Sequence, residues 1–379
     1  MTAPLVLDLD DADSLAAADS VGALRSAALG GAQVRATAAA VTEGALARLD
    51  GLRPRSVVLV TGAGRASRAS ALLVAALGGR SGLPVLSVPE TPPWVGPLDV
   101  VVVAGDDSGD PRLVESVDRA VRRGAEVVLA APEEGPLRSA GAGRASALPP
   151  RVSVLDINAL VRYLAVSVAV LDAVDTVRSR PLVPDLDLLA DVLDAEALRD
   201  HPGNEVFHNP AKSLATRMHK RRTVLAGDSP ATTELARHGS EVLLRGGATV
   251  TAAAGLGDVL AVGARLDAAT ATPAAGYDPF FHDEELDGPA PVDQARIFVL
   301  STDGDRLALQ RRVAALPSAD TVTADSIPTD GADDLPPSLD MTRFDGSTPA
   351  RRGVEIEQLA TVAVRLEMTA AYLQLMGGR

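Results

Sequence analysis

Residues 57–67 read Val-Val-Leu-Val-Thr-Gly-Ala-Gly-Arg-Ala-Ser, and residues 99–111 read Asp-Val-Val-Val-Val-Ala-Gly-Asp-Asp-Ser-Gly-Asp-Pro. In both stretches an aliphatic run ends in a glycine-containing loop that opens a helical segment. Shorter aliphatic runs at 83–88 and 125–130 continue the alternation. Continuous aliphatic runs separated by helices predict a parallel sheet covered on both faces. Ligands of such sheets bind at the carboxyl ends of the strands. The first loop (residues 62–67) and the second loop (residues 105–110) are therefore the candidate binding elements.

A second unit of the same kind follows further along the chain. Aliphatic runs at 222–228, 248–252 and 296–300 predict strands, and the segments 232–244 and 306–316 predict helices. The chain thus contains two α/β units in tandem.

These patterns divide the 379 residues into six segments. They are a helical lead-in at 1–52, a first α/β unit at 53–154, connecting helices at 155–219, a second α/β unit at 220–316, an acidic, Pro-rich loop at 317–350 and a C-terminal helix at 351–379.

Composition excludes several classes of protein. The net charge of −14 argues against nucleic-acid binding, which needs clustered basic residues. The absence of cysteine excludes disulfides and thiolate metal sites, and we expect neither a metal nor a cofactor. The first residues lack the pattern of a signal peptide, which predicts a cytoplasmic protein. The apolar run 164–171 is far shorter than the roughly 20 residues that cross a bilayer, so it predicts a buried helix and no membrane contact.

The tandem units resemble the sugar isomerase (SIS) domain, and more narrowly the bifunctional phosphoglucose/phosphomannose isomerase family of bacteria and archaea. An ordered set of short segments carries this resemblance over most of the chain: 59–70, 83–85 with 92–95, Ser108-Gly109, 123–125, Pro150-Arg151 and 209–215. The resemblance implies two three-layer αβα units with parallel sheets, joined and flanked by helices. It also implies aldose–ketose isomerisation of a sugar phosphate. The ligand-binding residues that it implies are Gly62, Gly64, Ser67, Ser108, Gly109 and Arg151.

The resemblance further implies a homodimer, because the family completes its active site across subunits. The helix predicted at 354–376 carries an apolar stripe of Ile356, Leu359, Val362, Leu366 and Leu373. Together with the apolar helix at 155–175, this stripe offers more hydrophobic surface than one monomer is expected to bury.

Both loops depart from the family's pattern. The family's first loop reads Gly-x-Gly-Gly-Ser and its second Ser-x-Ser-Gly-Asn-Thr, whereas here Ser67 comes one place late and Ser108 is the one hydroxyl kept in the second loop. Instead, Asp106, Asp107 and Asp110 bring carboxylates to the expected phosphate position. Each like-charge contact at ~4 Å costs about 4 kcal/mol at an effective dielectric near 20. The second loop should repel phosphate unless Arg65, Arg68 or Arg112 turns inward.

The catalytic positions depart as well. Leu244 stands where the family has its glutamate base, and Asp258 where it has its ring-opening histidine. The family's late lysine has no counterpart in this sequence, whose two lysines are Lys212 and Lys220. Arg151 matches the arginine that steadies the enediolate intermediate. Weak catalytic candidates are therefore Arg151, Glu241, Asp258 and His238.

Each signal also has a purely structural interpretation. Asp110 followed by Pro111 is typical of a helix N-cap with proline at the first helical position. Arg151 could pair with a surface carboxylate. His238 and Glu241, three apart, could share a solvated helix face as readily as form an acid/base pair. The aromatic and acidic stretch 277–285 favours an exposed loop over a metal or sugar site.

Three functions follow from these residues. The missing glutamate, histidine and lysine favour a pseudoenzyme that keeps the fold and binds a carbohydrate derivative. The alternative is an active sugar-phosphate isomerase that uses displaced residues such as Glu241 or Asp258. A nucleotide-binding α/β protein that uses the Gly62 loop is the third, because the glycine pattern of that loop also occurs in dinucleotide sites.

Overall fold

The computed structural model describes residues 7–174, 180–268, 295–302, 306–316, 319–325 and 353–377. It contains two parallel sheets, each covered by helices, which confirms the predicted fold class. The first sheet has the strand order β2-β1-β3-β4-β5 and the second has the order β7-β6-β8-β9. The second order repeats that of the first four strands, so the two units share one topology.

The first sheet is built from the aliphatic runs that predict strands in the first half of the chain. Its strands are β1 (Ser56–Thr61), β2 (Val85–Val88), β3 (Asp99–Ala104), β4 (Glu126–Ala130) and β5 (Ala145–Ala147). Along β1, Val57 and Leu59 enter the central core, whereas Val58 and Val60 enter a second core on the opposite face. Burial on both faces explains why the runs are continuously apolar rather than alternating.

Helices α4 (Arg65–Leu77), α5 (Pro111–Arg122) and α6 (Gly135–Gly141) follow strands β1, β3 and β4. Helix α4 packs on the face of the sheet that points to the middle of the molecule, and α5 packs on the outer face. Consequently the amino ends of α4 and α5 both lie at the carboxyl edge of the sheet.

The second sheet comprises β6 (Thr223–Gly227), β7 (Thr251–Gly255), β8 (Arg296–Leu300) and β9 (Ala319–Val322), with α10 (Pro230–Gly247), α11 (Leu256–Ala268) and α12 (Arg306–Val313) around it. Gly227 ends β6 where a Cβ atom would come within 2.2 Å of the Thr233 backbone nitrogen. Glycine at this position therefore lets α10 approach the sheet closely.

Two boundaries predicted from sequence are wrong. The strand predicted at 248–252 lies three residues later, because α10 runs on to Gly247 and Ala248 closes it in a left-handed conformation. Residues 319–322, expected within the acidic loop at 317–350, form β9 against β8. Their short polar sequence, Ala-Asp-Thr-Val, gives little strand signal without that partner. Residues 326–350, like the stretch 277–285, lie outside the described residues.

The predicted helical lead-in contains α1 (Ala12–Ala18), α2 (Ala23–Ala28) and α3 (Gly30–Thr42). The segment between the units contains α7 (Leu160–Val174), α8 (Leu186–Arg199) and α9 (Pro210–Met218), and the last described helix is α13 (Val354–Met376).

Helices α7 and α13 form the centre of the molecule. Helix α13 packs against α2, α8, α9 and α10, and its apolar stripe is buried within this chain. Residues 156–174, around α7, reach a mean hydropathy of 1.7 and could cross a membrane by length, but 83% of that stretch is buried inside the protein. The prediction of a buried helix is confirmed. The sequence argument for a homodimer is wrong in its premise, because both apolar helices are covered by the chain itself.

Candidate functional site

The first and second loops meet at the carboxyl edge of the first sheet. Strands β1 and β3 are neighbours, and the Gly62 amide donates to the Ala104 carbonyl at 2.9 Å. Gly64 adopts a left-handed φ of 88° and precedes α4 without a side chain to cap the helix. Ser67 lies in the first turn of α4 and is exposed. The fold therefore places Gly62 beside Gly105 of the second loop, whereas the Ser108 carbonyl accepts from the Leu137 amide at 3.1 Å, next to Gly135. A site shared by Gly62, Gly64, Ser108 and Gly109 stays a prediction.

The second loop satisfies its own backbone donors with its own carboxylates. Asp107 Oδ1 accepts from the Gly109 amide at 2.7 Å, and Asp110 Oδ1 accepts from the Arg112 amide at 2.9 Å. Asp110 is the N-cap of α5, which confirms the structural interpretation of Asp110 and Pro111. An anion at a helix N-terminus needs free amide donors. Two such donors, the Gly109 amide of the second loop and the Arg112 amide of α5, are already occupied.

Asp106 is directed toward the start of α7. Its Oδ1 accepts a hydrogen bond from the Tyr163 hydroxyl and lies 3.9 Å from Nη1 of Arg162. Burial, followed by the charge of Arg162 and of Asp106, shifts the pKa of Tyr163, and the net change is upward. The Tyr163 hydroxyl thus stays protonated and holds the carboxylate in place.

A cluster of charged side chains joins the first loop to the second unit. Arg65, the first residue of α4, donates through Nη2 to Glu241 Oε2 at 2.5 Å, and Arg68 donates through Nη2 to Glu241 Oε1 at 2.5 Å. Arg68 also pairs with Glu234 at 2.8 Å. We call Arg65, Arg68, Glu234 and Glu241 the inter-unit cluster. Two of the three arginines that might have turned toward the second loop, Arg65 and Arg68, are turned to α10 instead.

His238 continues the inter-unit cluster into the interior. Its Nδ1 lies 3.0 Å from Nη1 of Arg65, and its Nε2 lies 3.2 Å from Glu367 on α13. Because a guanidinium can donate but not accept, Nδ1 is the accepting nitrogen and Nε2 carries the proton. His238 is fully buried, so the interpretation of residues 238 and 241 as a solvated face is wrong.

Protonation of this buried pair is set mainly by desolvation. Burial, and then the charges of Arg65 and Arg68, hold the pKa of His238 well below its usual value, so the imidazole is neutral at pH 7. Burial raises the pKa of Glu367 to about 8, against the opposing effects of the Asn158 hydrogen bond and Arg65. Asn158 Nδ2 donates to Glu367 Oε2 at 2.9 Å and fixes that carboxyl group.

We expect the raised pKa of Glu367 to make stability depend on pH. A carboxyl whose pKa is 4.5 unfolded and about 8 folded favours the folded state at low pH, and this contribution is lost as the pH rises toward 8. The loss amounts to about 1.4 kcal/mol per pH unit between these values. Urea unfolding of the natural protein and of Glu367→Gln at pH 5.5, 6.5 and 7.5 measures it.

As the pH rises, the natural protein should lose free energy of unfolding relative to Glu367→Gln at each step. Glu126→Gln, which alters an exposed pair with Arg48, is the control and should show a constant difference. A constant difference for Glu367→Gln as well would mean that Glu367 is already ionised in the folded protein.

Two of the predicted site residues lie apart from this assembly. Arg151 forms an exposed ion pair with Glu43 at 2.6 Å, which confirms its interpretation as a surface residue in a pair. Asp258 is exposed in the first turn of α11, at the carboxyl end of β7. Leu244, at the position that the resemblance assigns to the family's base, is 54% exposed. Across the described ranges, no three His, Asp or Glu side chains are grouped as metal ligands would be.

The sequence argument missed Glu367, Asn158, Arg162 and Tyr163 as parts of the site region. Arg162, Tyr163 and Glu367 sit in helices whose apolar pattern marks them as core, so a polar residue there is the available signal. Asn158 ends a short 3-10 helix before α7, and its sequence, Asp-Ile-Asn, gives no such signal. Arg162 and Tyr163 at the start of a buried helix, and Glu367 within the stripe of α13, fit that description.

The fold has solved counterparts, although no protein-family model and no curated protein sequence matches the chain. Tagatose-6-phosphate ketose/aldose isomerase from Escherichia coli matches with a TM-score of 0.58 and 15% identity, over 94% of this chain and 91% of that one. A Clostridium difficile protein provisionally named a phosphosugar isomerase matches with a TM-score of 0.60 and 10% identity, over 94% and 93%. At these identities the likeness shows a shared fold alone.

Proposed function

We propose that this chain, whose fold is that of the SIS-domain phosphosugar isomerases, binds a carbohydrate derivative and has lost most or all of its isomerase activity. The more specific part of the proposal assigns it to the phosphoglucose/phosphomannose isomerase type, acting in the cytoplasm as a homodimer. The observation that carries the loss of activity is the state of Glu241, whose two carboxylate oxygens each accept from an arginine.

Aldose–ketose isomerisation needs a base that moves a proton between adjacent carbons of the open sugar. A general base must reach that proton with a free lone pair and a pKa near the working pH. Leu244 has no such group. Glu241, one helical turn earlier, is held between Arg65 and Arg68, and His238 is buried and uses Nδ1 as an acceptor from Arg65. These residues support a binding protein better than an isomerase.

The loops support retention of a ligand site. Glycines at positions 62 and 64 still give a tight turn at the carboxyl end of β1, and the second loop still lies beside it. A cavity of about 240 Å³ opens next to the second loop, between the carboxyl ends of β4 and β5 and helix α6. Its lining includes Glu133 and Arg138, which can hydrogen-bond to hydroxyl groups.

One observation favours an active isomerase as a second candidate function. The Glu241 side chain is 37% exposed and is linked through Arg65 to the first loop, so a substrate there could reach it. In that case Glu241 would leave its arginines and act as the displaced base.

The two functions predict opposite results in one assay. We expect no interconversion when the pure protein is incubated with fructose 6-phosphate or mannose 6-phosphate and the products are followed by NMR, because Glu241 and His238 are both held by arginines. Glu241→Gln should likewise give no product signals. Turnover by the natural protein that Glu241→Gln abolishes would establish the second candidate and reject the first. Calorimetry with the same sugars tests binding separately from turnover.

A further inference from the structure

The inter-unit cluster holds more hydrogen-bond donors than acceptors. The Arg65 side chain is 4% exposed and that of Arg68 is 22% exposed. The Nε atoms of both are buried, and within the described residues neither has a hydrogen-bond partner. Buried polar groups are normally satisfied. The Nη2 atoms of the same two arginines hold one carboxylate between them, and two guanidinium groups that converge in this way are an arrangement that binds an anion.

The cluster also carries surplus positive charge. Arg237 joins it by pairing with Glu234, so three guanidinium groups face the two carboxylates of Glu234 and Glu241. The remaining titratable neighbours add no charge at pH 7, because His238 is neutral and Glu367 is protonated. In a chain of net charge −14, this leaves a local excess of one positive charge. That excess is suited to a ligand with a negative charge.

The position of the cluster gives a ligand access. It spans the start of α4, directly after the first loop, and the middle of α10, so it lies between the two units. Apart from Arg237, which is 51% exposed, Glu241 and Arg68 are the residues of the cluster that solvent reaches most, at 37% and 22%. An anion that enters from solvent therefore meets the Glu241 carboxylate first. Glu241 already occupies the two arginines that the anion would bind.

We propose that Arg65 and Arg68 form an anion subsite for the phosphate group of a sugar phosphate, and that Glu241 is an internal competitor occupying this subsite. The inference rests on the proposed function for its sugar ligand. It accounts for two features together: Asp107 and Asp110 occupy the amides of Gly109 and Arg112 at the second loop and the start of α5, while Arg65 and Arg68 hold a carboxylate between their Nη2 atoms. Phosphate accepts from two guanidinium groups at once, as the Glu241 carboxylate does here.

The test is calorimetric titration of the natural protein and Glu241→Gln with inorganic phosphate and with fructose 6-phosphate. Glu241→Gln should bind both at least tenfold more tightly, because the competing charge is gone and Nη2 of each arginine no longer holds a carboxylate. Glu126→Gln removes one negative charge at the amino end of β4, far from the subsite, and should change affinity less than twofold. Adding Arg68→Met to Glu241→Gln should remove the gain.

The outcomes separate the subsite from the function. If Glu241→Gln binds inorganic phosphate no better than Glu126→Gln, the anion subsite is wrong. If phosphate binding tightens but no sugar phosphate binds any variant, the subsite stands and the carbohydrate-binding function fails. Should Glu241→Gln not fold, Arg68→Met alone replaces it: a tenfold weaker phosphate affinity supports the subsite, and an unchanged affinity overturns it.

Discussion

Replacing Lys212 by methionine should lower the free energy of unfolding by roughly 3–5 kcal/mol. The side chain is fully buried, and its ammonium donates to the carbonyl oxygens of Leu9, Pro202 and Asn204 at 2.5, 2.7 and 2.6 Å. Methionine fills the space but leaves three buried carbonyls without a donor. Chemical denaturation followed by circular dichroism measures the loss.

Lys220→Met is the matched control, because it removes the chain's other lysine at an exposed position. We expect a change within about 0.5 kcal/mol there. The Leu9 carbonyl belongs to the lead-in before α1, so Lys212→Met should also expose the N-terminal segment to limited proteolysis. Equal stability of the two variants would show that water replaces the ammonium at no cost.

Replacing Arg365 by methionine should cost a similar amount, about 3–5 kcal/mol. The guanidinium is fully buried in α13 and donates through Nε to Glu196 Oε1 at 2.5 Å. Its Nη1 and Nη2 donate to the carbonyls of Thr323 and Ala324, each at 2.7 Å. The change leaves Glu196 buried without its main partner and releases the segment after β9. Urea denaturation gives the free energy.

Arg199→Met provides the comparison for Arg365→Met. Arg199 pairs with the other oxygen of the same glutamate at 3.1 Å, but its side chain is 38% exposed, so solvent can replace it. We expect a cost below about 1 kcal/mol. Equal losses in the free energy of unfolding for the two substitutions would mean that burial does not make the Arg365 pair the more important one. That result would contradict this explanation.

The contacts of Arg365 bear on function because they position the helices around the inter-unit cluster. Arg365 and Glu367 lie on the same helix, α13, which also packs along α10. Helix α10 in turn carries Glu234, His238 and Glu241. A protein that binds a ligand between its units needs these helices held in register. We therefore expect Arg365→Met to weaken phosphate binding by Glu241→Gln as well as to lower stability.

Much of the fold follows from sequence alone, and the errors have local causes. Strands β1, β3, β4, β6 and β8 are predicted because parallel strands buried on both faces are written as unbroken aliphatic runs. Strands β5 and β9 are three and four residues long at the sheet edges, and an edge strand needs little aliphatic character once its neighbour supplies the hydrogen bonds. The late start of β7 reflects the αL residue that ends α10.

The candidate site divides along the same line. The sequence by itself determined the two parallel sheets, the loops at their carboxyl ends and the N-cap at Asp110, because each is decided within a few residues of chain. Tertiary structure alone decided that Arg65 and Arg68 meet Glu241, 176 and 173 positions away, and that His238 meets Glu367 in the core. The sequence does not indicate which residue a charged side chain will pair with, because the partner depends on how whole helices pack. For that reason the inter-unit cluster, and the anion subsite inferred from it, could be found only once the two units stood side by side.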